Sequence, residues 1–264
     1  KNPKKIKIFL ESKLYIFISK IFQLKTKYHL IFSEKELAKL KNKNKDNVIL
    51  GNSLDQNLFL TQNNKNFFID KSLDYALFLE SANPIFNGDN ELLGVNKDSI
   101  MTVESWTNSL KLFFDFLEKE LKLKVLISPH PRVKHHHEYP DYYFGRKVLK
   151  DFAYIASKNA KLIITRQSTG ISYGILNNIP IMTIYSDEIK RNKSMLSKSF
   201  HISNKLGKNP INIDNFDKES LRNEAFKINK SKYQDYKKNY ITLRNDDKKN
   251  SEVLLEIMNK KSLN

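Results

Sequence analysis

The chain has no cysteine, and this absence excludes disulfide bonds and every metal site that depends on thiolates. A long uncharged apolar run is missing as well, because Glu11, Lys13 and Lys20 interrupt the apolar segment 6–24. A membrane-spanning helix needs about 20 residues that are nearly free of charge. Residues 6–24 therefore predict an amphipathic helix, which either packs on a domain core or lies on a membrane surface.

Glycine-rich phosphate loops are also absent. The 264 residues include only 7 glycines and contain neither G-x-x-x-x-G-K-[ST] nor G-x-G-x-x-G. The first absence excludes P-loop nucleotide hydrolases. The second argues against a dinucleotide-dependent oxidoreductase.

Arginine is scarce in a strongly basic chain. The net charge is +17, yet only 6 of the 46 basic residues are arginine, and the lysines are spread over almost every segment. Proteins that read nucleic acid usually contact base edges through arginine and stack bases on aromatic rings. The composition therefore argues against specific nucleic-acid binding and leaves contact with an anionic membrane surface as an alternative use of the charge.

From about residue 98 onward, short apolar runs alternate with helical patterns. The predicted order is helix 102–121, strand 124–129, helix 146–159, strand 161–166, a helix opened by 167–176, and strand 179–186. Single helices between buried strands predict a parallel sheet that is covered on both faces. We therefore expect an α/β fold with a Rossmann-like parallel sheet.

The pattern before residue 98 is weaker. Strand-like segments occur at 28–32, 48–53 and 75–81, and Ser33 with Glu36 has the spacing of a capping box at the start of a helix. The lysine-rich tail, residues 214–260, has helical periodicity, so we expect it to pack back onto the body of the protein.

Polar clusters follow three successive strands of the predicted sheet. Residues 129–132 read Pro-His-Pro-Arg, residues 166–170 read Arg-Gln-Ser-Thr-Gly, and residues 186–188 read Ser-Asp-Glu. In a parallel α/β sheet, ligands bind beyond the carboxyl ends of the strands. Three polar clusters at one edge therefore predict a binding site there.

The residue types in two of these clusters suit phosphate. Ser168, Thr169 and Gly170 stand where a strand turns into a helix, so free N–H groups and hydroxyls can meet an anion, although a simple helix cap would use the same residues. His130 lies between two prolines on a stiff turn, and its imidazole can donate to a phosphate oxygen.

Half of the scarce arginines, Arg132, Arg146 and Arg166, fall around the predicted site. A guanidinium binds phosphate through two parallel hydrogen bonds that an ammonium group cannot supply. Arginine in a lysine-rich sequence therefore indicates a geometric need, unless the clustering is chance.

Carboxylates and histidines supply two further candidates. Glu80 lies at the end of the strand-like segment 75–81 and Asp89 in the Gly88-Asp89 turn that comes later, and either could take a proton from an acceptor hydroxyl. The cluster His135–Glu138 is better interpreted as a polar loop than as a metal site. Consecutive side chains project in different directions, and no cysteine or regular histidine pair supports it.

Three strings carry a resemblance to a known family: VLISPHPR at 125–132, FGR at 144–146, and AKLIITRQSTGISYGILNNIPIMTIYSDE at 160–188. Together they resemble the C-terminal half of bacterial surface-polysaccharide glycosyltransferases of GT-B type, including sialyltransferase-like and capsule-synthesis proteins. The resemblance implies that His130 and Pro131 contact the donor phosphate, that Ser168 and Thr169 bind it, and that no metal is bound. By the same resemblance, the FGR string adds Gly145 and Arg146 to the site, and Glu80 and Asp89 are the candidate bases.

The expected molecule is a glycosyltransferase that moves a sugar from a nucleotide-activated donor, with a CMP-linked sugar favoured, to a surface glycan or glycolipid. Residues 1–70 would be the remnant of an acceptor-side domain, and residues 71–264 the nucleotide-sugar-binding domain, the C-terminal half of a GT-B fold. We expect no cofactor beyond the donor, and a cytoplasmic location with peripheral contact at the inner face of the membrane. Because the sequence begins with Lys1 and opens with no signal peptide, we expect a fragment or a processed chain.

Three alternatives stay open at this stage. Two are enzymes on the same fold, a nucleotide-sugar epimerase and a polyol-phosphate transferase. The third is a non-catalytic, membrane-associated scaffold in glycan assembly.

Overall fold

The computed structural model describes most of the chain, namely residues 28–40, 47–61, 70, 72–81, 84, 101–131, 143–150 and 152–262. Its strands are β1 (His29–Ile31), β2 (Val48–Leu50), β3 (Tyr75–Leu79), β4 (Lys124–Ser128), β5 (Leu162–Thr165), β6 (Ile181–Tyr185) and β7 (Ile211–Asn212). Its helices are α1 (Glu34–Lys39), α2 (Leu54–Thr61), α3 (Val103–Glu120), α4 (Ala153–Ser157), α5 (Ile171–Leu176), α6 (Asp187–Arg191), α7 (Lys193–Leu206), α8 (Lys218–Glu224), α9 (Lys230–Tyr240) and α10 (Asn250–Ser262). The amphipathic segment predicted at 6–24 lies outside the described residues.

Five parallel strands form the main sheet, in the order β4-β3-β5-β6-β7. All five residues of β3 and all four of β5 are buried, as expected for strands covered on both faces. The four strands predicted between residues 75 and 186 are confirmed to within two residues at each end. The α/β fold with a parallel sheet between helices is therefore confirmed.

The sheet separates two apolar cores. On one face, Phe78 and Ile164 pack with the buried side of α3, and the ring of Phe114 on that helix meets the ring of Phe78 edge-on at 5.2 Å. On the other face, Leu77 and Ile163 pack with α5 and α9. Successive strand residues point to opposite faces, so each strand contributes to both cores.

The segment around β1 and β2 forms a separate two-stranded parallel sheet, which the lysine-rich tail joins. Asn52 bridges Thr242 in antiparallel fashion, and its backbone N–H donates to the Asn250 side chain at 2.7 Å. The guanidinium of Arg244 donates to the Leu50 carbonyl at 2.9 Å. The expectation that the tail packs back onto the body is therefore confirmed.

The predicted helix 146–159 is wrong over its first half. Only Ala153–Ser157 are helical, whereas Val148 pairs in parallel with Ile127 at the outer edge of β4. The Ile127 N–H donates to the Lys147 carbonyl at 2.9 Å, and the Leu149 N–H donates to the Ile127 carbonyl at 2.7 Å. The segment covers an otherwise bare strand edge, and this tertiary pairing overrides its helical periodicity.

None of the helices within the described ranges combines the length and the apolar character needed to cross a membrane. The longest of them, α3, spans 18 residues. Its polar face, with residues such as Lys111 and Asp115, stays at the surface.

Gly174 brings α5 into direct contact with the main sheet. A Cβ atom at this position would lie 2.8 Å from Ile163 Cδ1 on β5 and 3.0 Å from Ile181 Cδ1 on β6. Real Cβ atoms do not approach so closely, so any side chain here must push the helix or the two isoleucines aside. Glycine thus sets the distance between α5 and the two strands below it.

Replacing Gly174 by Val should therefore lower the free energy of unfolding by about 2 kcal/mol, because the added methyl groups overpack this contact. Urea denaturation would measure the loss. Ser197→Val, at an exposed position of α7, introduces the same side chain outside the core and should change stability little. Equal stability of the two variants would contradict the proposed close contact.

Candidate functional site

The order of the strands reverses between β3 and β5. After β3 the chain passes to β4 on one side, then returns to place β5, β6 and β7 on the other side. Such a reversal opens a crevice beyond the carboxyl ends of the two central strands, and ligands of α/β sheets bind there. The residues that leave these strand ends are Glu80 and Ser81 after β3, and Arg166 and Gln167 after β5.

The Thr165 hydroxyl ties the two strand ends together. It donates to the Leu79 carbonyl at 2.8 Å and accepts the Ser168 backbone N–H at 3.0 Å. The Ser168 hydroxyl in turn accepts the Gly170 N–H at 3.1 Å. A Cβ atom on Gly170 would lie 3.2 Å from Leu79 Cδ1, so the turn fits closely against β3. The Ser-Thr-Gly turn is therefore held at the crevice.

The structure assigns different positions to the three predicted phosphate-binding residues of this turn. Gly170 is the N-cap of the six-residue helix α5, which has no side-chain cap bond. The hydroxyl of half-buried Ser168 is used within the turn, whereas Thr169 is exposed. Thr169 is thus the residue of this turn whose side chain is open to a ligand.

Two buried polar atoms lie at the crevice, on Ser81, which the sequence did not single out, and on Gln167, a member of the predicted cluster 166–170. Ser81 Oγ and Gln167 Oε1 are buried, and neither has a hydrogen-bond partner within the part of the chain that the structure describes. Ser81 as a whole is 5% exposed. Buried polar atoms are nearly always hydrogen-bonded, so two such atoms at adjacent strand ends mark a place where ligand groups can bind.

A buried pair of charged residues lies beneath the crevice. Glu80 is 2% exposed and Arg166 is 0% exposed. Each follows directly on the paired residues Leu79 and Thr165, so they occupy adjacent positions on the sheet face that also carries Phe78. The Tyr143 hydroxyl donates to Glu80 Oε2 at 2.5 Å.

Both residues are therefore well shielded from solvent. Tyr143, which the sequence did not single out, holds the Glu80 carboxylate through its hydroxyl. The roles of Glu80 as a base and of Arg166 as a phosphate ligand stay predictions.

The end of β4 adds His130 and Pro131. β4 pairs with β3 up to Leu79 and Ser128, and the Glu80 N–H then donates to the Ser128 carbonyl at 3.0 Å. His130, two residues after Ser128, is half-buried, and Pro131 is exposed. The structure therefore brings His130 to the same sheet edge as Ser81 and the Ser-Thr-Gly turn.

Several predicted residues lie outside the described part of the chain: Arg132, Asp89, and the polar cluster His135–Glu138. Within the described ranges, no group of three His, Asp or Glu side chains is arranged to hold a metal ion.

Arg146 lies away from the other residues of the predicted phosphate site. Its guanidinium lies 2.6 Å from Asp115 and 2.9 Å from Glu118, both on α3, and stacks 5.3 Å above the Phe114 ring. Glu118 also accepts the N–H of Val125 near the start of β4, at the opposite end of that strand from His130. Arg146 and the preceding Gly145, which has a φ of 73°, therefore belong to the segment that covers the outer edge of β4.

The third polar cluster, at the end of β6, is largely used in the protein's own structure. The Ser186 hydroxyl caps α6, and the Asp187 carboxylate accepts the Asn212 amide at 2.8 Å. Both oxygens of Glu188 accept the Thr102 N–H at the start of α3. Beside them, a cavity of about 420 Å³ opens between α3 and α6, and it continues the polar edge beyond β6.

Comparison with known proteins gave distant structural matches alone. No family model matches the chain, and no curated protein sequence matches it. Among solved structures, the UDP-GlcNAc 2-epimerase of Methanocaldococcus jannaschii, bound to UDP-GlcNAc and UDP, aligns over 79% of this chain with 16% identity and a TM-score of 0.42. The Neisseria meningitidis UDP-GlcNAc 2-epimerase aligns over 90% with 12% identity and a TM-score of 0.44. KpsC of Thermosulfurimonas dismutans, a beta Kdo 2,4 transferase, aligns over 46% with 12% identity and a TM-score of 0.31.

This chain spans 59%, 62% and 36% of those three chains, which is less than two thirds of each. Conclusions on activity and substrate therefore depend on the residues of this chain itself.

Replacing Arg146 by Lys should destabilise the protein by about 1–2 kcal/mol without affecting ligand binding at the crevice, because an ammonium group cannot bridge two carboxylates and stack on a ring. Partial burial raises the pKa of Asp115, but hydrogen bonds from Arg146 and Lys111 outweigh it and lower that pKa below its usual 3.8. The stabilisation is therefore present above pH 3.8 and is lost as the pH falls through the lowered pKa.

Chemical denaturation between pH 3 and pH 7 would measure this dependence. The control is Arg222→Lys, which changes an exposed pair with Glu120 on the same helix and should have little effect. A loss of ligand affinity in Arg146→Lys at unchanged stability would instead return Arg146 to the binding site.

Proposed function

We propose that the crevice between β3 and β5 binds the phosphate part of a nucleotide-activated sugar, and that the chain carries the donor site of a glycosyltransferase for surface glycans. One observation carries the proposal: two buried polar atoms without partners among the described residues, Ser81 Oγ and Gln167 Oε1, follow the neighbouring strands β3 and β5, where the strand order reverses. His130 and the fixed Ser-Thr-Gly turn lie at the same edge. The HP and Ser/Thr motifs noted in the sequence support the choice of an activated sugar.

The proposed chemistry is electrostatic. As the sugar leaves, negative charge grows on the phosphate, and preorganised donors that face this charge lower the barrier. His130 would donate from the end of β4, and the exposed Thr169 hydroxyl from the turn. Ser168 would act indirectly, because its hydroxyl already holds the Gly170 N–H. Pro131 would stiffen the turn that carries His130.

The acceptor side is proposed on less direct grounds. Asp89 remains our candidate for the base, whereas buried Glu80 is better suited to positioning, through the hydroxyl of Tyr143. We further propose that residues 1–70 are the remnant of an acceptor-side domain and that residues 71–264 bind the donor. A CMP-linked donor, transfer without metal, and peripheral contact with an anionic membrane on the cytoplasmic side complete the hypothesis.

A nucleotide screen tests the donor site. We expect one nucleotide among CMP, CDP, UDP, UMP, GDP and ADP to raise the melting temperature selectively, and to do so equally with and without Mg²⁺. A ligand that binds the folded state alone adds about 2.7 kcal/mol of stability at 100 times its dissociation constant. Both His130→Ala and Ser81→Ala should weaken binding about tenfold, since each removes one hydrogen-bonding group.

Two variants serve as controls. His29→Ala in β1 and Ser197→Ala in α7 remove the same groups away from the crevice and should leave affinity unchanged. If His130→Ala and Ser81→Ala bind the nucleotide as the parent chain does, the site is assigned wrongly. With a glycan acceptor added, product analysis would separate a transferase from an epimerase, which needs no acceptor.

A further inference from the structure

A second polar cavity lies among three helices and includes none of the strand ends. It has a volume of about 330 Å³ and contacts α1, α7 and α9. We call it the tyrosine groove, and its lining residues are Lys35, His201, Asn204, Lys205, Lys232, Asp235, Tyr236, Asn239 and Tyr240. Its volume falls at the small end of the range for pockets that hold small molecules.

Two ammonium groups of the groove converge on one phenol. The Lys35 ammonium donates to the Tyr240 hydroxyl and stands 4.4 Å from the centre of its ring. The Lys205 ammonium stands 4.3 Å from the centre of the same ring. Partial burial raises the pKa of Tyr240, but hydrogen bonds from both lysines outweigh it and lower that pKa. The field at this point of the groove is therefore strongly positive.

The groove carries little negative charge to balance these lysines. Lys232 lies 3.9 Å from Asp235. Neither Lys35 nor Lys205 forms an ion pair with any described residue. Two like charges beside one phenol ring repel each other, and an anion that contacts both would relieve the repulsion.

The other walls of the groove suit a ligand that is only partly anionic. The rings of Tyr236 and Tyr240 lie 4.7 Å apart and form an aromatic wall next to the two ammonium groups. Asn204 and His201 line the opposite helix, α7, and their side chains can donate hydrogen bonds. Asn239 contributes less, because its amide already donates to the Asp235 carbonyl at 2.8 Å.

We propose that the tyrosine groove binds a phosphate monoester. Its dianionic group accepts from Lys35 and Lys205, and the organic group that carries it packs on the aromatic wall. Charge-assisted hydrogen bonds to phosphate are about twice as strong as neutral ones, which makes the two lysines the main determinants of affinity. The same chemistry fits a soluble sugar phosphate and the headgroup of an acidic phospholipid.

The first test is calorimetric titration with inorganic phosphate at constant ionic strength, with chloride and sulfate for comparison. The double variant Lys35→Gln/Lys205→Gln should bind phosphate at least about tenfold more weakly than the parent chain, because both charge-assisted contacts are removed. The matched control is Lys39→Gln/Lys198→Gln. It removes two exposed lysines from the same two helices, outside the groove, and should bind phosphate as the parent does.

A melting curve without phosphate separates binding from folding. Since the groove variant loses two neighbouring like charges, it should melt no lower than the control variant. A lower melting temperature would show that the lysines serve the fold, which would overturn the proposal. Equal phosphate binding by both double variants, or no binding by the parent chain, would overturn it as well.

Two further binding experiments identify the kind of molecule that carries the phosphate. Glucose 6-phosphate that binds more tightly than inorganic phosphate would indicate a soluble sugar phosphate. A lipid headgroup would be indicated if the parent chain floats with vesicles that contain phosphatidic acid and does not float with pure phosphatidylcholine vesicles. The groove variant should then fail to float with either kind of vesicle. His130→Ala should leave all these results unchanged. The proposal for the tyrosine groove and the proposal for the crevice can therefore be refuted independently.

Discussion

The pairing of β3 with β5 is the constraint on which the candidate site depends. Leu79 and Thr165 lie opposite each other although 86 positions separate them in the chain, and the Thr165 hydroxyl reinforces the pairing by donating to the Leu79 carbonyl. Because β4 lies on the outer side of β3, the residues that follow β3 and β5 meet at a reversal of strand order. Without this pairing, Ser81 and the Ser-Thr-Gly turn would share no surface.

Much of this arrangement could be predicted from the sequence, because continuous apolar strands and the apolar face of α3 leave a clear periodicity. The edge at which His130 and Thr169 meet followed from the rule that parallel strands share their carboxyl ends. Burial could not be predicted in the same way. Glu80 and Arg166 are polar residues after strands, as Ser81 and Gln167 are, and only the packed structure shows that Glu80 and Arg166 are buried and that Ser81 Oγ and Gln167 Oε1 have no partner among the described residues.

Two differences between the predicted and the observed arrangement have one physical origin, which is that local sequence patterns do not identify distant partners. Residues 146–152 have helical spacing, but the bare edge of β4 captures Val148 as a strand-like partner. Arg146 is one of few arginines, and its scarcity correctly indicated a need for a planar fork. In the structure the guanidinium contacts Asp115 and Glu118, and nothing in the sequence around Arg146 identifies these carboxylates.

The contacts between Asn52 and the tail determine which parts of this protein can complete their folding first during synthesis. The partner of the Asn52 N–H is Asn250, which lies 198 positions later in the chain. At ribosomal rates of about 5–20 residues per second, Asn52 waits roughly 10–40 seconds for that partner to be made. All five strands of the main sheet are complete in sequence by Asn212, before that point. The main sheet can therefore assemble before Asn250 is made, whereas the two-stranded sheet around β1 and β2 reaches its final contacts only after that residue has been added.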